Sequence, residues 1–313
     1  MALAWLLATV GCAEPPAARV GLRAERAAFA DARWDEGNAE VARYRVRERR
    51  YGTLRDGAAT LIVVKETFDA LRLVKADLGT DHPLEVMKLN HLLTTPTGVY
   101  TYRQMASVFL RRADARPVKL VTSSQEWCGI TSKQLFVRGP ESVLRASSYF
   151  GAEGERADPV QLDARTVLFD ALPLWLRSLD LDRVGRRAVQ LLPAQLSSHA
   201  QAPRIAPATI EVAAPRTLDV PAGRFEGVPV TVVHDGGEDT FVFDAVAPHT
   251  LLRWERADGG HYELEWVRYA PYWRLTDEGD TLVPAPRVRA EEGEAAAPPT
   301  DVAGPSSPSE RVE

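Results

Sequence analysis

The sequence predicts a mainly β protein, an antiparallel meander forming a curved sheet or an incompletely closed barrel or sandwich, with one or two short helices. Three observations predict it. Apolar and polar residues alternate with period two in several segments, most clearly from Ala42 to Arg49, where the odd positions are all arginine. Short connections containing Gly, Asp or Pro, such as Asp258-Gly259-Gly260, separate these segments, as hairpin turns require. Helical periodicity is thin, and its strongest instance contains a proline.

Ala2 to Val10 is an uncharged apolar run that stops at Gly11-Cys12. It is too short to span a bilayer, which takes about 20 residues, and it reads as a secretory signal. Thr9-Val10-Gly11-Cys12 looks like a bacterial lipobox, with Thr9 where an aliphatic residue is usual. Residues 1–12 are therefore expected to be a signal peptide ending at a lipidated Cys12, and the missing basic residues are expected from an upstream start. Ala13 in place of Asp favours the outer membrane, facing the periplasm. Buried acyl chains hold such an anchor by ~0.8 kcal/mol per methylene. The alternative is an unmodified N-terminus with a free or buried Cys12.

Residues 13–33 read as a linker with a short helix near Arg23 to Arg33, and residues 34–277 as a single β-rich domain. Strands are expected at Ala42–Arg49, Ala59–Glu66, Leu71–Ala76, Met87–Thr94, Val99–Leu110, Val118–Ser123 and Lys133–Arg138. Arg165 to Leu179 has helical spacing that Pro173 would end or kink, and Arg183–Leu192 is a second weak helix. Strands then return at Thr209–Ala213, Arg216–Val220, Val228–His234, Asp239–Asp244, Thr250–Arg256 and His261–Tyr269. Residues 278–313 are rich in Pro, Ala, Ser and Glu and are expected to be a disordered tail.

Of the 313 residues 45% are hydrophobic and 26% charged, which excludes wholesale disorder. A net charge of −5 argues against nucleic acid as a partner. Two cysteines make neither a disulfide framework nor a structural zinc site. No phosphate loop, Gly-x-Ser-x-Gly elbow or His-Glu-x-x-His occurs, so no cofactor or metal is expected.

Trp34-Asp35-Glu36-Gly37, Arg50-Tyr51-Gly52, Arg55-Asp56-Gly57, Thr97-Gly98-Val99-Tyr100-Thr101-Tyr102 and Ser123-Ser124-Gln125-Glu126-Trp127-Cys128-Gly129 carry a resemblance. Together they resemble a family of uncharacterised bacterial lipoproteins, some of them labelled septum formation inhibitor. Val220-Pro221-Ala222-Gly223-Arg224-Phe225, with Pro248-His249 and Arg253-Trp254, resembles lipoprotein-carrier-like periplasmic proteins. That second likeness implies an incompletely closed antiparallel barrel with an apolar concavity. Neither likeness implies an activity.

The candidate ligand or partner site comprises Arg43, Arg45, Tyr100, Tyr102, Glu126, Trp127 and Cys128. Period two places Arg43, Arg45, Arg47 and Arg49 on one strand face, where they either meet an anionic surface or pair with acids on neighbouring strands. Glu126 is either a buried, partnered carboxylate or a solvated strand-edge acid. Cys128 is either a small buried hydrophobe or a nucleophile served by one of His91, His234, His249 and His261. The aromatics Tyr100, Tyr102, Phe109, Trp127, Trp254, Trp266 and Trp273 are expected mostly in the core, with some free to line a groove. Three functions follow. The first is an envelope lipoprotein of non-catalytic type, binding a lipid or other amphipathic ligand in a concavity. The second is an interaction lipoprotein with a filled core that docks an envelope protein, and the third an enzyme around Glu126 and Cys128.

Overall fold

The computed structural model describes residues 27–282. The N-terminal half contributes β1 (Ala39–Arg50), β2 (Thr53–Asp69), β3 (Val74–Lys75), β4 (Pro83–Thr97), β5 (Tyr100–Arg111) and β6 (Pro117–Glu126). There follow β7 (Gly129–Phe136), β8 (Glu141–Ser147), β9 (Glu155–Gln161), β10 (Thr166–Leu168), β11 (Gly185–Leu192) and β12 (Ala206–Val212). The last strands are β13 (Arg216–Val220), β14 (Gly223–His234), β15 (Gly237–Asp244), β16 (Leu251–Glu255) and β17 (His261–Ala270). Two helices of a single turn, α1 (Ala27–Ala30) and α2 (Leu172–Trp175), complete the set with four 3-10 turns.

All seventeen strands belong to one mixed sheet. Its order runs β9-β8-β7-β6-β5-β4-β2-β1-β17-β16-β15-β14-β12-β11-β10, with β3 beside β2 and β13 beside β14. The β1–β17 pairing joins two meanders into one surface, and β10–β11 is its parallel pair. The sheet is not closed into a barrel: β9 and β10 are its two edges. Alternation drives one face inward, as in β8, where Ser142, Leu144 and Ala146 are buried between exposed neighbours.

The concave face is filled by the chain itself. Thr166 through Leu179 are buried without interruption: apolar residues fall on every side of the segment, and its polar side chains, Asp170 and Arg177 among them, are hydrogen-bonded inside. Pro173 stands in the first turn of α2, where its missing N–H costs nothing, so it starts the helix that it was expected to end. A buried ion pair ties this segment to β1: Arg177 Nη1 and Nη2 each donate to a Glu40 carboxylate oxygen at 2.9 Å, and both side chains are 2% exposed. Arg177 Nε donates to the Pro248 carbonyl, while the Tyr269 and Thr250 hydroxyls donate to Glu40 Oε2. Residues 193–200 cross the remainder of the concavity. There Lys133 Nζ donates to the Gln195 carbonyl at 2.7 Å, and the amides of Gln195 and Leu196 donate to the buried Asp170 carboxylate.

The structure corrects several expected elements. Arg183–Leu192 is strand β11 (Gly185–Leu192) rather than a helix; Val189 and Leu191 are buried at period two, and Leu192 at its end is buried as well. Leu71–Ala76 is largely a turn, since the amides of Leu71 and Arg72 donate to Asp69 Oδ1 and leave only the two-residue β3. Strands β8, β9 and β10 had no sequence expectation, being short and poor in apolar residues or lodged within the segment read as helical. Of the helix expected near Arg23 to Arg33, the described residues hold the four-residue α1 and a 3-10 turn capped by Asp31, and residues 23–26 lie outside them. Cys12 and residues 283–313 lie outside the described residues. Leu282, which fell in the expected tail, packs beside Trp266 and Tyr272 on the outer face of the sheet.

Candidate functional site

The hairpin ends bring most of the expected site residues together. Tyr51 and Gly52 form the β1–β2 turn, both at positive φ, as a tight two-residue hairpin requires. The Tyr51 hydroxyl lies 2.6 Å from that of Tyr100 and 2.7 Å from that of Tyr102, and the Tyr100 and Trp127 rings are 6.2 Å apart. Trp127 and Cys128 make the next turn, closed by the Cys128 amide donating to a Glu126 carboxylate oxygen at 2.6 Å. Glu126 is thus a half-buried turn cap, neither buried ion-pair partner nor free edge acid. Tyr149 packs against Gly129, where a β-carbon would come within 2.5 Å of its ring, so the row of rings continues into the β8–β9 loop.

Arg43 and Arg45 stand apart from this rim. They lie on the outward face of β1, 4.0 and 3.7 Å from the Glu265 carboxylate, while Arg47 lies 3.0 Å from Asp56. Arg49 donates to the carbonyls of Asp258 and Gly52. The arginine row is therefore cross-strand paired, the second of its two readings. Cys128 is exposed, which corrects its reading as a buried hydrophobe. The Glu126 carboxylate raises its thiol pKa, the reverse of what an activated nucleophile needs. Among the described residues no hydrogen bond joins Cys128 to a histidine, and His261 lies on β17 opposite Arg47 and Glu255. His91 Nε2 is 3.2 Å from the Tyr262 hydroxyl inside the sheet, and His249 Nδ1 is 2.9 Å from the Asp244 carbonyl. His234 Nε2 meets Asp239 at 2.8 Å while its Nδ1 accepts the Gly236 amide, so neither ring nitrogen is spare. Trp127 at 77% and Trp273 at 45% exposure also leave the expected aromatic core, whereas Tyr102, Phe109 and Trp254 belong to it.

A cavity lies at the opposite end of the strands. It has a volume of about 600 Å³, within the range of small-molecule sites. It sits where the sheet fails to close, between the β9–β10 link and β11 on one side and the β5–β6 and β7–β8 connections on the other. Its floor is apolar, from Leu73, Val118, Leu162, Val167 and the Trp175 ring, all of them buried. Leu73 and Ala115, at φ 55° and 56°, reach it from left-handed backbone, which costs roughly 1–2 kcal/mol each in an L-residue. No family model, characterised protein or solved structure matches the chain.

Around the mouth stand Arg111, Arg116, Arg138 and Arg165 with two aspartates, Asp114 and Asp163, and Arg187 is half-buried in the wall. Asp114 is shared by Arg111 and Arg116, and Asp163 accepts from Arg165. Arg138 donates to the Leu71 carbonyl, and the Arg187 guanidinium lies 5.2 Å from the Trp175 ring centroid. Burial lowers the Arg187 pKa, because a charge inside the wall is poorly solvated. None of these cavity residues was among the sequence candidates. Among the described residues no group of three His, Cys, Asp or Glu could hold a metal ion, and no helix is long and apolar enough to cross a membrane.

Proposed function

We propose that this protein is an envelope lipoprotein of non-catalytic type that binds an amphipathic ligand, such as a lipid, in the cavity at the open seam of its sheet. One observation carries the reading: a cavity of about 600 Å³ with an apolar floor and a polar mouth, left open where the rest of the concavity is filled by the chain's own residues. The apolar run ending at Cys12 supports the envelope address, and the resemblance to lipoproteins agrees with it. The test is native mass spectrometry of the full chain, gently purified from bacterial envelopes, alongside an Ala164→Trp variant that narrows the mouth. A reproducible added mass, released by organic solvent and lost in the variant, is expected. A clean apo mass from several hosts, with no uptake of added acyl compounds, would overturn the reading.

A specific observation favours a second reading, docking to an envelope protein. Tyr51, Trp127, Ile130 and Tyr149 are each at least 60% exposed along one rim of the sheet. Exposed apolar clusters of this kind mark contact surfaces. A photocrosslinker at Trp127 capturing one discrete envelope protein would support it, and diffuse labelling would count against it.

A further inference from the structure

We infer that the seam cavity selects ligands whose apolar tail ends in an anionic group, a carboxylate or a phosphate. The inference rests on the binding function proposed above and adds the class of ligand. Among the described residues lining the mouth, Arg111, Arg116, Arg138 and Arg165 outnumber the two carboxylates of Asp114 and Asp163, so the rim holds a net excess of positive charge. This excess is maintained in a chain whose overall net charge is −5. It is a local feature, distinct from the general charge balance.

The geometry divides the work between floor and rim. The buried leucines and valines, with the face of the Trp175 ring, make the floor apolar, so a polar tail there would lose its hydrogen bonds to water. Arg116, Arg138 and Arg165 are exposed at the mouth, and Arg187 is half-buried deeper in the wall, over the tryptophan. A guanidinium presents a planar fork of donors that matches carboxylate or phosphate oxygens, and such charge-assisted bonds are about twice as strong as neutral ones. An ammonium head group would meet like charge, and a hydroxyl would gain only neutral hydrogen bonds. Fatty acids and phosphorylated lipids share the favoured chemistry.

The test compares four ligands with one tail, dodecanoate, dodecyl phosphate, dodecanol and dodecylamine, by isothermal titration of the full chain below their aggregation limits. Dodecanoate, dodecyl phosphate or both should bind about tenfold or more tighter than dodecanol, and dodecylamine weakest; tenfold corresponds to about 1.4 kcal/mol. The better of the two anions names the source of the head group. Arg138→Glu should remove most of that advantage without changing dodecanol binding, and Arg43→Glu, on the outer face of β1, should leave all four unchanged. The anion advantage should also shrink as salt rises. Equal binding of dodecanol and both anions would overturn this inference while leaving the cavity as a ligand site. Binding of none of the four would overturn both.

Discussion

Replacing Arg177 by Met tests what holds the inner segment in the concavity. The guanidinium makes two 2.9 Å bonds to Glu40 and one of 2.7 Å to the Pro248 carbonyl, all out of water. The Met side chain preserves most of the volume but leaves Glu40 as a buried carboxylate held only by the Thr250 and Tyr269 hydroxyls. Removing one partner of a buried pair costs about 3–5 kcal/mol, because the survivor's charge is uncompensated. Glu40→Gln should cost a similar amount, since it strands the arginine instead. The double variant should then fall roughly 2–3 kcal/mol short of the sum of the two, because no charge is left behind. Arg43→Ala, which breaks an exposed pair at 4.0 Å, is the control and should cost below about 1 kcal/mol. Urea unfolding followed by circular dichroism and tryptophan fluorescence measures all four. A single variant within about 0.5 kcal/mol of the parent, or strict additivity, would refute the claim that this pair anchors the segment.

Acid should weaken the fold through His91, whose burial beside Arg256 and the Tyr262 hydroxyl lowers its pKa to about 3. The unfolded chain takes up that proton near pH 6.5 and the folded chain does not. The stability is therefore complete above pH 6.5 and declines by about 1.4 kcal/mol per pH unit below it, until the folded pKa is reached. At pH 5 the parent should have lost about 2 kcal/mol more than His91→Gln, and equal losses by urea unfolding would show that His91 does not carry the effect. Leu174→Ala, a fully buried truncation in α2, should destabilise by about 2–5 kcal/mol, against less than about 0.5 for Val184→Ala on the surface. Cys128 should react completely with iodoacetamide in the folded protein without loss of ligand binding. Glu126→Gln should speed that reaction at pH 8 by removing the carboxylate that raises the thiol pKa, and an unchanged rate would refute the contact.

How much of the fold was readable follows from the range of the interactions that made each part. Strand β1 was legible because its alternation is local: Tyr44 and Val46 point inward and the arginines outward. The six strands expected after residue 208 all recur for the same reason, with short turns between them. The expected helix at Arg183–Leu192 failed because Gly185 to Ala188 carry no inward apolar residue, and the period-two pair Val189 and Leu191 is followed at once by a third buried residue, Leu192. Pro173 misled because sequence spacing cannot tell a helix interior from a helix start. Packing decided it, through Leu172, Leu174 and Leu176, all fully buried against the sheet.

The two sets of arginines show where a sequence ceases to indicate a site. Arg43, Arg45, Arg47 and Arg49 form a pattern within one strand, so they drew attention, yet acids on β2 and β17 pair with the first three. The cavity arginines lie at the end of β5, in the β5–β6, β7–β8 and β9–β10 connections and on β11, with no common period in the sequence. Their convergence depends on where the curved sheet stops short of closing, a property of seventeen strands together. A row visible in sequence meets its counter-charges across neighbouring strands, since regular pairing places partners at regular intervals. Charge gathered from distant connections has no such register, and among the described residues only Asp114 and Asp163 line the mouth beside Arg111, Arg116, Arg138 and Arg165, so the excess at the seam is the stronger ground for expecting a bound anion.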